Sequence, residues 1–434
     1  MISTAPRYIE CSQSLTPEHE ALRDQVHAFS ATVLRPISLD LDKLSPTEVI
    51  APSSPLWDAF RSWYALGQHA AVLPEKVGGL ALDPLAQALV FEELGWGAAD
   101  IGISLGVAAF PFSFAAAFGL LTGNQRLLDE IVAPFVEDTE GKVIGCWAIT
   151  EPGHGSDELG VGTEFFDRPA TAGNCRAKRD GSDWVVNGQK AAWVSNGTIA
   201  THALLFCTID PARGMSGGGV AVVPLNLPGV SRDTALDKLG QRALNQGAIF
   251  FEDVRIPGDY MIATLDSYPT VLDLTLATAN SGMGVIFTGL ARAAFEEALD
   301  YSVERVQGGK PIASHQLIQT EIFEMFSRVE QARALSRAVL SRTSTAPSLP
   351  HAIASKVNCT RAAFEVASRA IQVHGGTGLA RGILVEKLFR DARAALVEDG
   401  VNEFLGIVAA ERIIGDLLPH DARNTAGQRA KAAS

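Results

Sequence analysis

The stretch Trp147-Ala148-Ile149-Thr150-Glu151-Pro152-Gly153-His154-Gly155-Ser156-Asp157 decides how the rest of the chain is read. It is a strand end running into a glycine-rich turn, where backbone N–H groups are free to meet a polar ligand. It also stands where the texture of the chain changes. Before it, to about residue 145, the pattern is helical. Thr16 is placed to cap a helix with Pro17 at its first position, and Leu22, Val26, Phe29 and Val33 then share one face. Pro- and Ser-rich punctuation around Ser45–Pro55 marks a loop. After the stretch, over about 146–260, short β-branched runs appear at Asp183–Val186, Ala203–Cys207, Gly219–Val223 and Ala248–Phe251. Turn signals such as Asn187-Gly188 and Gly217-Gly218-Gly219 separate them. From about 261 helix returns. Ile318, Ile322, Met325, Val329 and Ala332 form a stripe of helical period, and a further helix at about Ala352–His374 stops at Gly375, a left-handed cap candidate. The expected fold class is α+β, mainly α: an N-terminal helical domain (1–145), a central antiparallel β-domain (146–260) and a C-terminal helical bundle (261–434).

Composition narrows the function classes. The 434 residues are 47% hydrophobic and 20% charged, enough for several packed domains. A formal net charge of −13 argues against a nucleic-acid footprint, which needs a basic face. Five cysteines (Cys11, Cys146, Cys175, Cys207, Cys359) are scattered, odd in number and without metal spacing, so no metal is expected and a reducing compartment is. The N-terminal residues lack the apolar run of a signal peptide, and a cytoplasmic location is the expectation. Ile101–Asn124 carries no charge and is long enough to span a bilayer, but its glycines and Pro111 break it; Leu274–Ala291 is similar. Buried helices lining an apolar cavity, not membrane insertion, are expected from both.

The string Thr150-Glu151-Pro152, then Gly155-Ser156-Asp157, at the junction of helical and β zones resembles the signature of the FAD-dependent acyl-CoA dehydrogenase family. Further blocks resemble that family in its order: Asn187–Lys190 with Trp193–Gly197; Leu239–Arg242 with Phe250–Pro257; Glu304-Arg305 with Gly309-Lys310 and His315-Gln316; and Ala370–Gly378. The resemblance implies FAD as cofactor, an acyl-CoA substrate, an electron-transfer flavoprotein as partner, and a homotetramer or homodimer. It implies that Trp147, Ile149 and Thr150 border the flavin ring, that Trp193 lies against it with the Ser195 hydroxyl near its reactive side, and that Arg305 pairs with the diphosphate from a neighbouring subunit. Arg suits that task through its forked donors. Gln316, Gln372, Gly375 and Gly376 would complete the nucleotide site, and Ser156 and Gly400 would meet the substrate.

The family removes a proton α to a thioester carbonyl, and its carboxylate base needs a pKa lifted toward working pH by burial. The resemblance places a glutamate before a Gly-Thr pair that follows an Arg-Asp-Ala element. Here Arg390-Asp391-Ala392 leads to Glu398-Asp399-Gly400-Val401, so the glycine anchors Asp399 at the catalytic position, with Glu398 one residue away as the alternative. The other place where relatives carry the base falls at about Ala279-Asn280, which holds no carboxylate; Asp100 is a third acid beside an apolar helix. Val401 stands where a hydroxyl residue is usual, Glu403 and Gly406 where a glutamine and an arginine are common, and Glu158–Lys178 is longer than usual: a lid, an interface or a disordered loop. The shorter acid suggests a branched, cyclic or otherwise non-standard acyl group. Competing readings are a flavin oxidase or monooxygenase of the same fold, similar to nitroalkane oxidase, a dehydrogenase acting on an acyl-carrier-protein thioester, and a non-catalytic acyl-CoA binder.

Overall fold

The computed structural model describes residues 15–417. Helix α1 (Pro17–Phe29) starts where the sequence places it: the Thr16 hydroxyl accepts from the His19 amide and Pro17 opens the first turn. Such a cap contributes about 1 kcal/mol. Val26 and Phe29 enter the core, with Leu22 and Val33 at its edge. The segment around Ser45–Pro55 is more than loop, because Ser45 and Glu48 form a capping box on a short helix, Pro46–Val49.

The uncharged stretch becomes the end of α2 (Pro84–Ala108) and α3 (Phe110–Thr122). Asp83 caps α2, Ala98 breaks its helical geometry, and Gly123 ends α3 in the left-handed region. Together with the 37-residue α4 (Tyr268–Glu304), these helices are long and apolar enough to cross a membrane, yet 67% and 78% of their apolar windows are buried in the protein. Their apolar character therefore serves the core. Glycines let α2 and α4 touch backbone to backbone: a Cβ at Gly95 would lie 1.8 Å from the Ile286 carbonyl oxygen, and one at Gly289 2.0 Å from that of Glu92.

The middle of the chain forms one sheet from β1 (Gly145–Ala148), β2 (Arg176–Asp180), β3 (Asp183–Lys190), β4 (His202–Thr208), β5 (Gly218–Pro224), β6 (Val230–Arg232), β7 (Ile249–Ile256) and β8 (Met261–Thr264). Its order is β6-β7-β3-β2-β4-β5-β8, with β1 beside β4. The expected antiparallel domain is corrected here to a mixed sheet. β1 runs parallel to β4 with Trp147 opposite Leu204, and β2 meets β4 in parallel at Arg176 and Thr208. Asn187-Gly188 is also not a turn. It lies inside β3 at a bulge against β7, where Gly188 (φ +131°) lets Cys175 approach; the β2–β3 turn is made at Gly181 instead.

Helices α5 (Gln316–Thr345), α6 (Leu349–His374), α7 (Leu384–Ala394) and α8 (Asn402–Leu417) complete the described residues, and α4 packs against α2, α5 and α6. The stripe read on α5 faces inward, with Met325, Val329 and Ala332 buried and Ile318 and Ile322 against them. Gly375 ends α6 at φ +61° but ψ −141°, so it stops the helix without the left-handed cap expected there. Cys146, Cys175, Cys207 and Cys359 are free and buried; Cys11 lies outside the described residues.

Candidate active site

The Thr150–Asp157 turn braces itself. Glu151 and His154 exchange backbone hydrogen bonds of 2.9 and 3.1 Å, while the Asp157 carboxylate accepts from the Gly155 amide at 2.6 Å and meets the His154 ring at 2.8 Å. Glu151 points inward to buried Lys190 (2.8 Å) and accepts from the amides of Asn174 and Cys175. Burial works against its charge, but the Lys190 cation and these donors outweigh it and hold the carboxyl below its usual range. Lys190 also donates to the Ile149 carbonyl at 2.7 Å, and the Thr150 carbonyl accepts from Ala191 at 2.8 Å. With those carbonyls engaged, Ile149 and Thr150 offer a ligand their amide edge and the Thr150 hydroxyl. Trp147 is buried behind them against Phe110 and Phe206, and its Nε1 has no partner among the described residues.

Trp193 is 60% exposed, a large ring left open beside Ser195. Gln246 organises this corner: its amide donates to Ser195 Oγ (3.1 Å) and to the Trp193 carbonyl (3.2 Å), while its oxygen accepts from Lys238 (2.8 Å). Ser195, being an acceptor from Gln246, keeps its own proton for an outward partner. Next to it, buried Asn196 at φ +61° bonds Ser104 and the Gly145 carbonyl, tying the loop to α2. Neither Gln246 nor Lys238 carries a sequence signal that marks it.

The two acids separate cleanly. Glu398 accepts from Gln241 Nε2 at 2.8 Å, whereas the Asp399 carboxylate accepts no hydrogen bond and forms no ion pair among the described residues. Asp399 sits at φ +50°, followed by Gly400 at φ +97°, a strained turn that requires outside support. Support comes from three elements. Lys356 on α6 donates to the Gly400 carbonyl (2.8 Å), Asn280 on α4 to the Asp399 carbonyl (3.4 Å), and the Val401 amide donates to Ser156 Oγ (3.0 Å). Ser156 thus bridges the glycine-rich turn to the acid turn. Burial lifts Asp399 to about 6 against the opposing Lys356 cation; burial and the Asp399 charge lift Glu398 to about 7 against Gln241 and Lys238. Val401, in place of a hydroxyl residue, contributes its amide here and no side-chain donor.

The remaining predicted residues gather elsewhere. Arg305, Gln316, Gln372, Gly375 and Gly376 are all exposed where α4 and α6 end and α5 begins. Tyr301 stacks on His374 with ring centroids 4.1 Å apart, joining the Arg305 end of α4 to the Gly375 end of α6. A Cβ at Gly375 or Gly376 would meet nothing within 4 Å, leaving an open cradle.

The long segment after the turn is ordered. Leu159, Val161 and Phe166 are buried, Phe165 lies 6.0 Å from the ring of Phe404 on α8, and Leu159 reaches within 2.9 Å of where a Gly400 Cβ would stand. It roofs the acid turn. Asp100 is not a rival base: fully buried, it is fixed by Ser38, Lys387 and the Ala243 amide, and Lys387 links it to Asp391, which accepts from the Gln241 amide.

The chain thus has helix–β–helix order, an unpaired and lifted carboxyl at Asp399, an exposed tryptophan at Trp193 and, at the ends of α4 and α6, an open glycine turn, an arrangement compatible with a flavin-dependent oxidoreductase of the acyl-thioester type. Comparison with known proteins gives the family. Models of the acyl-CoA dehydrogenase N-terminal, middle and C-terminal domains match residues 16–133, 146–254 and 273–414. The human mitochondrial short-chain specific acyl-CoA dehydrogenase is 30% identical over 93% of this chain and 92% of its own. The butyryl-CoA dehydrogenase structure from Megasphaera elsdenii superposes with a TM-score of 0.81 at 24% identity, covering 93% of this chain and all of the other. A prolyl acyl carrier protein oxidase superposes at 0.77 with 23% identity, covering 92% and 100%. The chain belongs to the acyl-CoA dehydrogenase family and is an FAD-dependent oxidoreductase acting on CH–CH groups. The open Trp193 face, the available Ser195 proton and the Gly375–Gly376 cradle fit that cofactor.

Proposed function

We propose that this enzyme dehydrogenates an acyl-CoA thioester with Asp399 as the base that takes the α-proton. One observation carries the choice: of the two adjacent acids, Asp399 alone has an uncommitted carboxylate, lifted by burial to about 6, so it is ionised yet basic near neutral pH. FAD, when bound, supplies the acceptor for the β-hydride at N5. Trp193 would shelve its ring, Ser195 and the amides of Ile149 and Thr150 would hold it by hydrogen bonds, and Ser156 keeps the acid turn in register with the glycine-rich turn. Electrons leave to an electron-transfer flavoprotein. The shorter acid favours a branched or cyclic acyl group, because the carboxylate reaches about one methylene less far and catalysis is sensitive to displacements on the order of 1 Å.

Two copies share each cofactor site in this reading. Asn280, which touches the acid turn, and Arg305 lie about 38 Å apart along α4, farther than one dinucleotide extends. Val306, Leu317, Phe323 and Leu379 are exposed at the Arg305 end, an apolar surface for a second copy. The test is anaerobic titration of the FAD-loaded protein with straight, branched and cyclic acyl-CoAs. Bleaching of the flavin supports dehydrogenation, and fastest bleaching by unbranched chains rejects the substrate shape. Oxygen uptake with a nitroalkane and no bleaching by any acyl-CoA rejects the activity. Sedimentation that finds a monomer retaining FAD rejects the shared site.

A further inference from the structure

We infer that Lys356 is a positioning residue for the catalytic acid: its buried ammonium, anchored on the Gly400 carbonyl, fixes the Asp399 turn and holds the Asp399 carboxyl in its charged form. The inference rests on Asp399 being the base but concerns a different residue. A lysine is almost never fully buried unless its ammonium is paired or hydrogen-bonded, and Lys356 is 0% exposed in the middle of α6. Its Nζ donates at 2.8 Å to the Gly400 carbonyl and at 2.8 Å to Asn402 Oδ1; Asn402 Nδ2 in turn donates at 3.1 Å to Thr360 Oγ1, one turn further along α6. The ammonium is therefore triangulated between its own helix, the start of α8 and the carbonyl next to the base. Among the described residues no carboxylate pairs with it directly, so its charge is left to act on the turn.

The charges around this point are few. The turn itself presents Glu398 and Asp399, and α8 presents Glu403, which lies 3.8 Å from Arg361 of α6. Lys238, from the segment after β6, faces Glu398. α4 contributes the neutral Asn280, and the glycine-rich turn contributes Ser156. Among the described residues Lys356 is the charged group opposing the rise of Asp399, and burial in turn pulls Lys356 down to about 8 against the facing carboxylates. Over the interval between about 6 and about 8, base and ammonium are both charged. An apolar side chain here would fill the space but leave Asp399 lifted by burial alone.

A purely architectural lysine and a positioning lysine make different predictions. Aspartate labelled with carbon-13 in its carboxyl, read by isotope-edited infrared in the FAD-loaded protein, with Asp399→Asn used to assign the band, follows the Asp399 titration without turnover. Lys356→Met and Lys356→Gln, the second retaining a donor without charge, should each move that titration upward by about one pH unit. Lys356→Arg should leave it near the wild-type position. With an acyl-CoA that reduces the wild-type flavin, the neutral variants should be slower at pH 6.5 and approach their best rate only near pH 9. An unchanged Asp399 titration in the neutral variants, or a rate loss that is the same at every pH, overturns the inference. If the titration moves but Asp399→Asn is reduced at the wild-type rate, the hold of Lys356 on the carboxyl stands and the assignment of the base falls.

Discussion

Two pairs of adjacent carboxylates, Glu92-Glu93 fully buried and Glu398-Asp399 half-buried, are treated in opposite ways in this protein. Glu92 and Glu93, in the middle of α2, are surrounded by cations. Glu92 meets Arg292, Arg333 and Arg337, each at 2.9 Å, and Glu93 meets Arg292 at 2.5 Å and His27 at 2.7 Å. Burial opposes their charge, yet the facing cationic and hydrogen-bonding partners override it, holding Glu92 well below the usual carboxylate range and Glu93 below it. Glu398 and Asp399 have one amide partner between their carboxylates, and both are lifted to within reach of neutral pH. The difference is that the first pair joins α2 to α4 and α5 at the backbone contact of Gly289, whereas the second is kept under-paired so that one member can exchange a proton. Full pairing makes a joint; deficient pairing makes a base.

That contrast can be broken at either end. The largest effect is expected from Asp399→Asn, which should lower flavin reduction by an acyl-CoA about 10²–10⁴-fold while FAD stays bound, as absorbance spectra before and after gel filtration would show. Next, Arg292→Met removes a cation shared by both helical glutamates. It should cost about 3–5 kcal/mol, seen as a marked fall in Tm or in the denaturant midpoint, because the carboxylates it leaves are buried.

A smaller effect concerns stability against pH. Asp399 stands at about 6 in the folded protein, above an ordinary aspartate. The folded state therefore holds the proton over that window, and the associated stability is present at low pH and lost as pH rises through about 6. Asp399→Asn escapes the loss, and asparagine tolerates the positive φ of the site. The variant should be more stable than wild type by up to about 3 kcal/mol at pH 8, with the gap closing at pH 4. A variant less stable at pH 8 would mean that the carboxylate is better paired than its surroundings indicate. The smallest change is expected for Glu398→Gln, whose contact to Gln241 needs only an oxygen: a rate within about tenfold of wild type.

What the sequence made legible follows from how local each signal is. Thr16, Pro17 and His19 settle the start of α1 among themselves, and the inward stripe on α5 is written in its own period. Glu151, His154, Gly155 and Asp157 close the glycine-rich turn within eight residues, which is why that string reads so clearly. Signals that depend on distant partners were not legible. The four residues of β1 are all buried and do not alternate, so nothing in them announces a parallel partner at His202–Leu205. Asn187-Gly188 carries a strong local turn signal, and the approach of Cys175 to Gly188 overrides it. Lys356 and Gln246 read as ordinary polar residues because their importance arises only where α6 meets the acid turn and where β7 begins behind Trp193. The anchor on Gly400 already favoured Asp399 over Glu398; what the pattern could not carry is the Gln241 contact that commits the Glu398 carboxylate.

The central claim is that Asp399, and not its neighbour, is the base. Single-turnover reduction of the flavin by an acyl-CoA under anaerobic conditions, followed from pH 5 to pH 9 in the wild type, Asp399→Asn and Glu398→Gln, tests it most directly. The expected result is a wild-type rate that rises with pH through about 6, the value to which burial lifts Asp399, the same profile at modestly altered height for Glu398→Gln, and near-complete loss for Asp399→Asn at every pH. A wild-type profile retained by Asp399→Asn and abolished by Glu398→Gln would contradict it.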